Sequence, residues 1–246
     1  MNTEDTDQFL QKPSVSSVFI CGFFMNPELA SKLRELIAHL LEENQKFNLT
    51  GLKTPEEAWT KHVLDSLEGL ETGLFDEANS VVDVGSGAGF PGFVLALARP
   101  ELKMTFLEAT RKKCGFIEQT IEKFELQGAH VINERSEDAA QGDRFREKFD
   151  VATARALGSF SEVAELCLPL VKVGGSVVSW RGDRAEREAK QSEEALDELG
   201  GLLRDVRAYE LPGLETRYHL VTIEKVGNTP RIYPRRSGLP KLKPLF

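Results

Sequence analysis

Residues 83–92 read Asp83-Val84-Gly85-Ser86-Gly87-Ala88-Gly89-Phe90-Pro91-Gly92. The run Val81-Val82-Asp83-Val84 that leads into them has the β-branched composition of a short buried strand. A helix is predicted from about Phe93. A glycine turn between a strand and a helix is the context in which such loops hold ligands. Glycine lets the backbone turn sharply and lets a ligand come close to it. A second strand, Met104 to Leu107, is closed by Glu108. An acid there, about twenty residues beyond the loop, suits hydrogen bonds from the hydroxyls of a ribose.

Two ligand classes compete for this loop. The dinucleotide fingerprint requires glycine at the sixth position counted from Gly85, and this chain has Phe90 there. The spacing is instead Gly-x-Gly-x-Gly, with Asp83 two residues ahead. An acid beside the loop disfavours a pyrophosphate but helps to orient a cationic amino-acid ligand. S-adenosylmethionine carries an ammonium and a sulfonium and no phosphate, so charge favours it. Asp83, Gly85, Gly87, Gly89, Phe90 and Glu108 are its candidate contacts. The plain alternative is a tight turn with no ligand.

Outward from the loop, strands alternate with helices. Helical spacing from Arg111 to Leu126 is followed by strands His130–Ile132 and Phe149–Ala154. A helix from Ser159 to Leu170, a strand from Gly175 to Trp180 and a charged helix from about Arg184 to Leu199 come next. Two late strands, near 206–210 and 219–226, have no helix between them and read as a hairpin. The pattern predicts a doubly wound α/β fold with a seven-stranded, mostly parallel sheet. Ahead of it, Asn26-Pro27-Glu28 starts one helix, and Thr54-Pro55-Glu56-Glu57 is a capping box for another. The predicted layout is an N-terminal extension (1–25, disordered or loosely packed), a helical cap (26–76), the core (77–230) and a basic tail (231–246).

Ligands in such sheets bind at the carboxyl ends of the strands. That edge adds Arg135-Ser136-Glu137 after the third strand and Arg155 after the fourth. A cation at the end of an apolar strand needs a partner, which is either a ligand or an ordinary ion pair. The fourth strand end, Thr153-Ala154-Arg155-Ala156, lacks the Asn/Asp-Pro-Pro-aromatic loop of enzymes that methylate exocyclic amines. Pyrimidine-carbon methylation needs a cysteine nucleophile, and Cys114 and Cys167 sit at apolar helical positions. What remains is an acceptor already nucleophilic at neutral pH, such as a purine ring nitrogen. Holding acceptor, methyl carbon and sulfur in line would then supply most of the catalysis. His62 and Asp65, on the polar face of the second cap helix, are the candidate catalytic residues; a helix-surface contact is the other reading of Asp65.

The chain is acidic overall, at −8, so any nucleic-acid surface must be local. Residues 231–243 supply one: Arg231, Arg235, Arg236, Lys241 and Lys243 occur without an acid, and Tyr233 offers a ring for stacking. Prolines and glycine keep this stretch from forming a regular element, and a solvated terminus is the competing reading. Truncation before Arg231 is expected to weaken RNA binding and spare the cofactor. Arg111 and Lys112 open a helix against its dipole, which suggests an anion nearby, either nucleic acid or a carboxylate such as Glu108. Arg181 adds a cation on the ligand edge. Three dispersed cysteines and four dispersed histidines predict no metal site and no disulfide framework, consistent with a cytoplasmic compartment. No apolar run approaches bilayer length. Val15 to Met25 follows acids rather than the basic residues of a signal peptide, and Met25 is a candidate start.

Several segments together resemble the bacterial 16S ribosomal RNA guanine-N7 methyltransferases, the glucose-inhibited division protein B family. They are Asn48-Leu49-Thr50, Lys61-His62, Leu64-Asp65-Ser66-Leu67, the glycine loop, Ser136-Glu137, Arg155-Ala156, and the ending Tyr233-Pro234-Arg235-Arg236 through Lys243-Pro244-Leu245. The resemblance implies a class I S-adenosylmethionine-dependent methyltransferase fold. It implies cofactor contacts at Gly85, Phe90, Glu108, Ala109, Thr110, Ser136, Glu137 and Arg155. It implies a guanine of small-subunit ribosomal RNA, free or in the subunit, as the acceptor. A monomer without metal is expected. Two departures stand out: the segment before Met25 looks additional, and Arg181-Gly182 replaces an expected lysine-glycine. A methyltransferase of small molecules or proteins, and an RNA-binding module that retains the cofactor, remain the alternatives.

Overall fold

The computed structural model describes residues 18–20 and 23–246. Most of the expected N-terminal extension, including Cys21, lies outside them. Within it, β1 (Val18–Ile20) and β2 (Phe23–Met25) pair antiparallel, and Met25 is buried.

Helix α1 (Pro27–Asn44) starts where Asn26 accepts the Leu29 amide at 2.8 Å. Its apolar stripe of Leu33, Leu36, Ile37 and Leu40 is completely buried. The second cap helix, α2, spans residues 55–72 and opens with Thr54 accepting the Glu57 amide. Its spacing is not uniform. Trp59–Leu64 is a π-helical stretch, and Glu68–Thr72 tightens to 3₁₀ geometry before Gly73 ends it with φ +69°. Both helices share one apolar core with Phe93, Phe106 and Phe116, so the cap is fused to one face of the sheet.

The sheet has seven strands: β3 (Ser80–Val84), β4 (Lys103–Leu107), β5 (Ala129–Ile132), β6 (Phe149–Arg155), β7 (Val171–Arg181), β8 (Gly201–Glu210) and β9 (Arg217–Lys225). Their order is β5-β4-β3-β6-β7-β9-β8. Strands β3 to β7 pair in parallel, and β9 enters antiparallel between β7 and β8. The strands wind outward as β3-β4-β5 on one side and β6-β7 on the other, so the topological crevice lies between β3 and β6, where open α/β sheets bind ligands. Helices α3 (Gly92–Ala98) and α4 (Arg111–Lys123) pack with the cap. Helix α6 (Phe160–Cys167) covers the other face.

Three local expectations change. A short helix, α5 (Ser136–Gln141), follows β5, with Ala139 and Ala140 buried; one and a half turns give too little periodicity to read. The charged helix is split at Ser192 into α7 (Ala185–Gln191) and α8 (Glu193–Glu198). The buried Ser192 hydroxyl donates to the Ala189 carbonyl and competes with helix continuation. The basic tail holds a single turn, α9 (Leu239–Leu242), with a buried proline, Pro240.

Candidate active site

The glycine loop joins β3 to α3 at the crevice. Gly85, Gly87 and Gly89 have φ of +68°, +59° and +83°, a region costly for side chains. A Cβ on Gly89 would lie 2.0 Å from the Phe93 ring, and one on Gly85 2.4 Å from Leu157. Gly87 differs: the nearest atom to its Cβ would be the Gly85 carbonyl oxygen at 3.8 Å. The space over Gly87 is therefore open to a ligand. Glu108 turns its carboxylate to that rim, accepting the Gly87 amide at 2.9 Å and the Thr110 amide at 2.7 Å. Each oxygen keeps a lone pair for a ligand hydroxyl. These features fit S-adenosylmethionine. Phe90 occupies the place where a dinucleotide site needs glycine, and its ring stacks on His62 at 4.5 Å.

Sequence places Asp83 beside the ligand; the structure buries it beneath the loop. It is 1% exposed, Oδ1 accepts from Thr153 at 2.8 Å, and Oδ2 has no hydrogen-bond partner among the described residues. Burial pushes its carboxyl up to about 6. A Cβ on Gly92 would come within 3.1 Å of Oδ2, so this acid and that glycine fix the start of α3.

Arg155 links the loop to the cap. Its guanidinium lies 5.7 Å from the Phe90 ring centroid. Nη1 donates to Asp65 Oδ2 at 2.9 Å and to the Lys61 carbonyl at 3.0 Å, and Nη2 meets His62 Nδ1 at 2.9 Å. An arginine only donates, so Nδ1 is the acceptor and His62 carries its proton on Nε2, which donates to Thr50 Oγ1 at 3.1 Å. Burial, then the Arg155 charge, lowers the His62 pKa to about 3. Asp65 is equally occupied: Tyr209 donates to Oδ1 at 2.5 Å, and the Trp180 indole donates to its carbonyl at 2.6 Å. The π-helical stretch, which commonly marks functional positions in helices, carries Lys61 and His62 into this network.

The folded pKa of His62 lies below its unfolded value of about 6.5. Neutral His62 therefore contributes stability that is complete above pH 6.5 and lost as pH falls toward 3. Thermal scans of wild type and His62→Gln should differ by a constant amount above pH 6.5 and converge below it. A gap that is constant down to pH 4 contradicts the assignment.

Ser136 and Glu137 open α5, and both are buried. The Glu137 side chain bonds to the tail. Its Oε1 accepts the Gly238 amide of the tail at 2.7 Å, and no side chain among the described residues caps the helix start, which leaves the main chain of this pair for a ligand. Ala109 is tied to the site by Asn133, which donates to the carbonyls of Glu108 and Ala109 at 3.1 and 3.0 Å. Thr50 belongs to the Asn48-Leu49-Thr50 segment, which by itself assigns it no role, whereas Asn133, Trp180 and Tyr209 carry no motif; only the β8–β9 register, which pairs Tyr209 with Tyr218, would have drawn attention to the tyrosines.

The basic surface also needs correction. Arg235 is not free for RNA. It grips the fully buried Glu165 through its amide at 2.8 Å, Nε at 2.8 Å and Nη2 at 2.5 Å. Tyr233 is buried, with its hydroxyl on Glu198, so its ring is not a stacking face. Arg181 donates to the Gly158 carbonyl at 2.6 Å and to Glu188 at 2.5 Å. Arg231 pairs with exposed Asp143, a contact worth little. Arg236, Lys241 and Lys243 are exposed. Arg111 and Lys112 are also exposed, and the carboxylate of Glu108 faces backbone amides instead of them.

The tail is thus docked rather than detachable. Deleting residues 231–246 should cost about 3–5 kcal/mol by stranding Glu165, seen as a fall in Tm of about 10 °C. Cofactor affinity should drop with it, because Glu137 loses its anchor. An unchanged Tm would contradict this account.

Cys114 and Cys167 are buried, and burial pushes both thiols up, so neither offers a thiolate. Among the described residues no cluster of three metal-ligating side chains occurs, and no helix is long and apolar enough to cross a membrane.

Known proteins share this fold. A crystal structure of M. jannaschii TYW2 in complex with AdoMet overlays with TM-score 0.50 at 15% identity, covering 66% of this chain and 77% of that one. A crystal structure of a mutant of MtNAS overlays with TM-score 0.52 at 16% identity, over 81% and 76%. These likenesses concern the fold. Sequence relatives are nearer. Ribosomal RNA small subunit methyltransferase G of Moorella thermoacetica is 38% identical over 224 residues, covering 91% of this chain and 93% of the relative. The protein of the same name in Clostridium perfringens strain SM101 is 35% identical over 236 residues, covering 96% and 98%. At that coverage most of the segment before Met25 is aligned with this relative as well. The family model described as rRNA small subunit methyltransferase G matches residues 29–215, and this chain belongs to that family.

Proposed function

We propose that this chain is an S-adenosylmethionine-dependent methyltransferase that modifies N7 of a guanine in the RNA of the small ribosomal subunit. The observation that carries the reading is the open space over Gly87, rimmed by Glu108, with Arg155 over the Phe90 ring of the same loop. The relatives' shared name supplies the substrate class.

In this reading Glu108 takes the ribose hydroxyls, and the main chain at Ala109, Thr110, Ser136 and Glu137 lines the nucleoside. Gly85 and Gly89 shape the loop, and Phe90 walls it. When bound, S-adenosylmethionine supplies an electrophilic methyl on a sulfonium, and the N7 lone pair forms the N–C bond as the C–S bond breaks. The base has no proton to lose, so no general base is required. That agrees with His62 and Asp65, whose acceptor atoms are spent on Arg155 and Tyr209. Both are positioning residues. Exposed Arg111, Lys112, Arg236, Lys241 and Lys243 hold RNA phosphates. The enzyme acts as a monomer in the cytoplasm on RNA or on the assembling subunit.

Calorimetry and label transfer test this. S-adenosylmethionine should bind and NADH should not. Labelled methyl should enter RNA of small subunits from a strain lacking the protein. NADH binding, or label only in small molecules, would overturn the reading.

A further inference from the structure

A cleft of about 290 Å³ opens at the carboxyl edge of the sheet, between the ends of β6 and β7 and the β8–β9 hairpin. Arg155, Trp180, Tyr209 and Tyr218 line it. The residues that follow β6 form its wall toward the glycine loop. Ala156 and Gly158 face the cleft, while Leu157 between them packs against Gly85. The ligand space over the loop and the cleft are thus separated by one short turn. Ala156 holds φ +55° there, an uncommon conformation for a residue with a side chain.

Tyr218 is half-buried, and its ring lies 5.9 Å from the Tyr209 ring at 29°. Tyr209 is itself fixed by the hydroxyl on Asp65. Tyr218 is therefore an aromatic face backed by a second ring that cannot swing away. Arg155 commits both Nη1 protons and one Nη2 proton; its Nε–H and second Nη2–H have no partner among the described residues.

We propose that this cleft receives the target guanine turned out of the RNA stack, with Tyr218 as its stacking face and Arg155 donating to O6. This rests on the ribosomal RNA reading and deepens it. O6 sits beside N7 on the same edge of guanine, where adenine presents an amino donor. Arg155 on O6 therefore turns N7 toward the glycine loop and selects guanine over adenine. A base reaches such a cleft only unstacked, and an aromatic platform replaces the stacking it loses.

The test compares Tyr218→Ala, Tyr218→Leu and Tyr218→Phe in methyl transfer to small subunits. Alanine and leucine should lower kcat/KM about 10- to 100-fold, with Tm and S-adenosylmethionine affinity unchanged, and phenylalanine should stay within threefold. Activity of Tyr218→Ala and Tyr218→Leu within twofold of wild type overturns the proposal. So does an equal loss in Tyr218→Phe, which would assign the role to the hydroxyl. If wild type transfers no methyl, the functional reading fails separately, and direct binding judges the cleft. The chain has two tryptophans, Trp59 and Trp180. In a Trp59→Phe protein, 7-methylguanosine 5′-monophosphate should quench Trp180 saturably, and Tyr218→Ala should abolish that quenching; no quenching overturns the proposal.

Discussion

Replacing Arg155 with alanine should reduce methyl transfer at least about a hundredfold, the scale of loss when a positioned reaction centre is released. The same change should destabilise the fold. Asp65 and Arg155 have side chains only 9% and 13% exposed, and removing one partner leaves the other charge buried. Breaking such a pair costs about 3–5 kcal/mol. Two effects must be separated, and a second substitution does so. Asp65→Asn in the Arg155→Ala background removes the stranded charge and should recover much of the Tm. It should not recover activity, because nothing then orients the base or holds His62. Arg155→Lys should restore charge but not the branched contact to Lys61, Asp65 and His62. Thermal denaturation and kcat/KM on small subunits measure both. Activity regained in the double variant would reduce Arg155 to a structural ion pair.

Gly87→Asp should abolish measurable cofactor binding in a folded protein. Its Cβ enters open space, and aspartate tolerates positive φ better than most residues. The side chain would fill the ligand space and set a second carboxylate near Glu108. Gly89→Ala makes the contrast. Its methyl would collide with the Phe93 ring at 2.0 Å, so it should lower Tm before it lowers affinity. Calorimetry with S-adenosylmethionine, beside thermal scans of each variant, distinguishes them. Normal affinity in Gly87→Asp would remove the cofactor from the loop.

The sheet was legible because its signals are local. Apolar strands, glycine turns and helical stripes such as Leu33-Leu36-Ile37-Leu40 each announce themselves within a few residues. The loop and Glu108 were legible for the same reason, since their meaning follows from spacing along the chain. Arg155, His62 and Asp65 could be named as candidates, but their arrangement could not. It depends on α2 reaching β6 across about ninety residues of sequence and on a π-helical stretch that no periodicity reveals. The tail misled for a related reason. Five cations without an acid look like a phosphate-binding surface, yet Glu165, seventy residues away, claims one of them. Charge patterns along a chain report composition; pairing across the fold decides which charges stay available.

Methylation of a guanine ring nitrogen is the centre of this mechanism, and borohydride–aniline cleavage of small-subunit RNA reads that atom directly. RNA from subunits treated with this protein and S-adenosylmethionine should show one new cleavage site, absent with the Gly87→Asp variant. Methyl label incorporated without any new cleavage would contradict N7 as the acceptor and the base orientation built on Arg155.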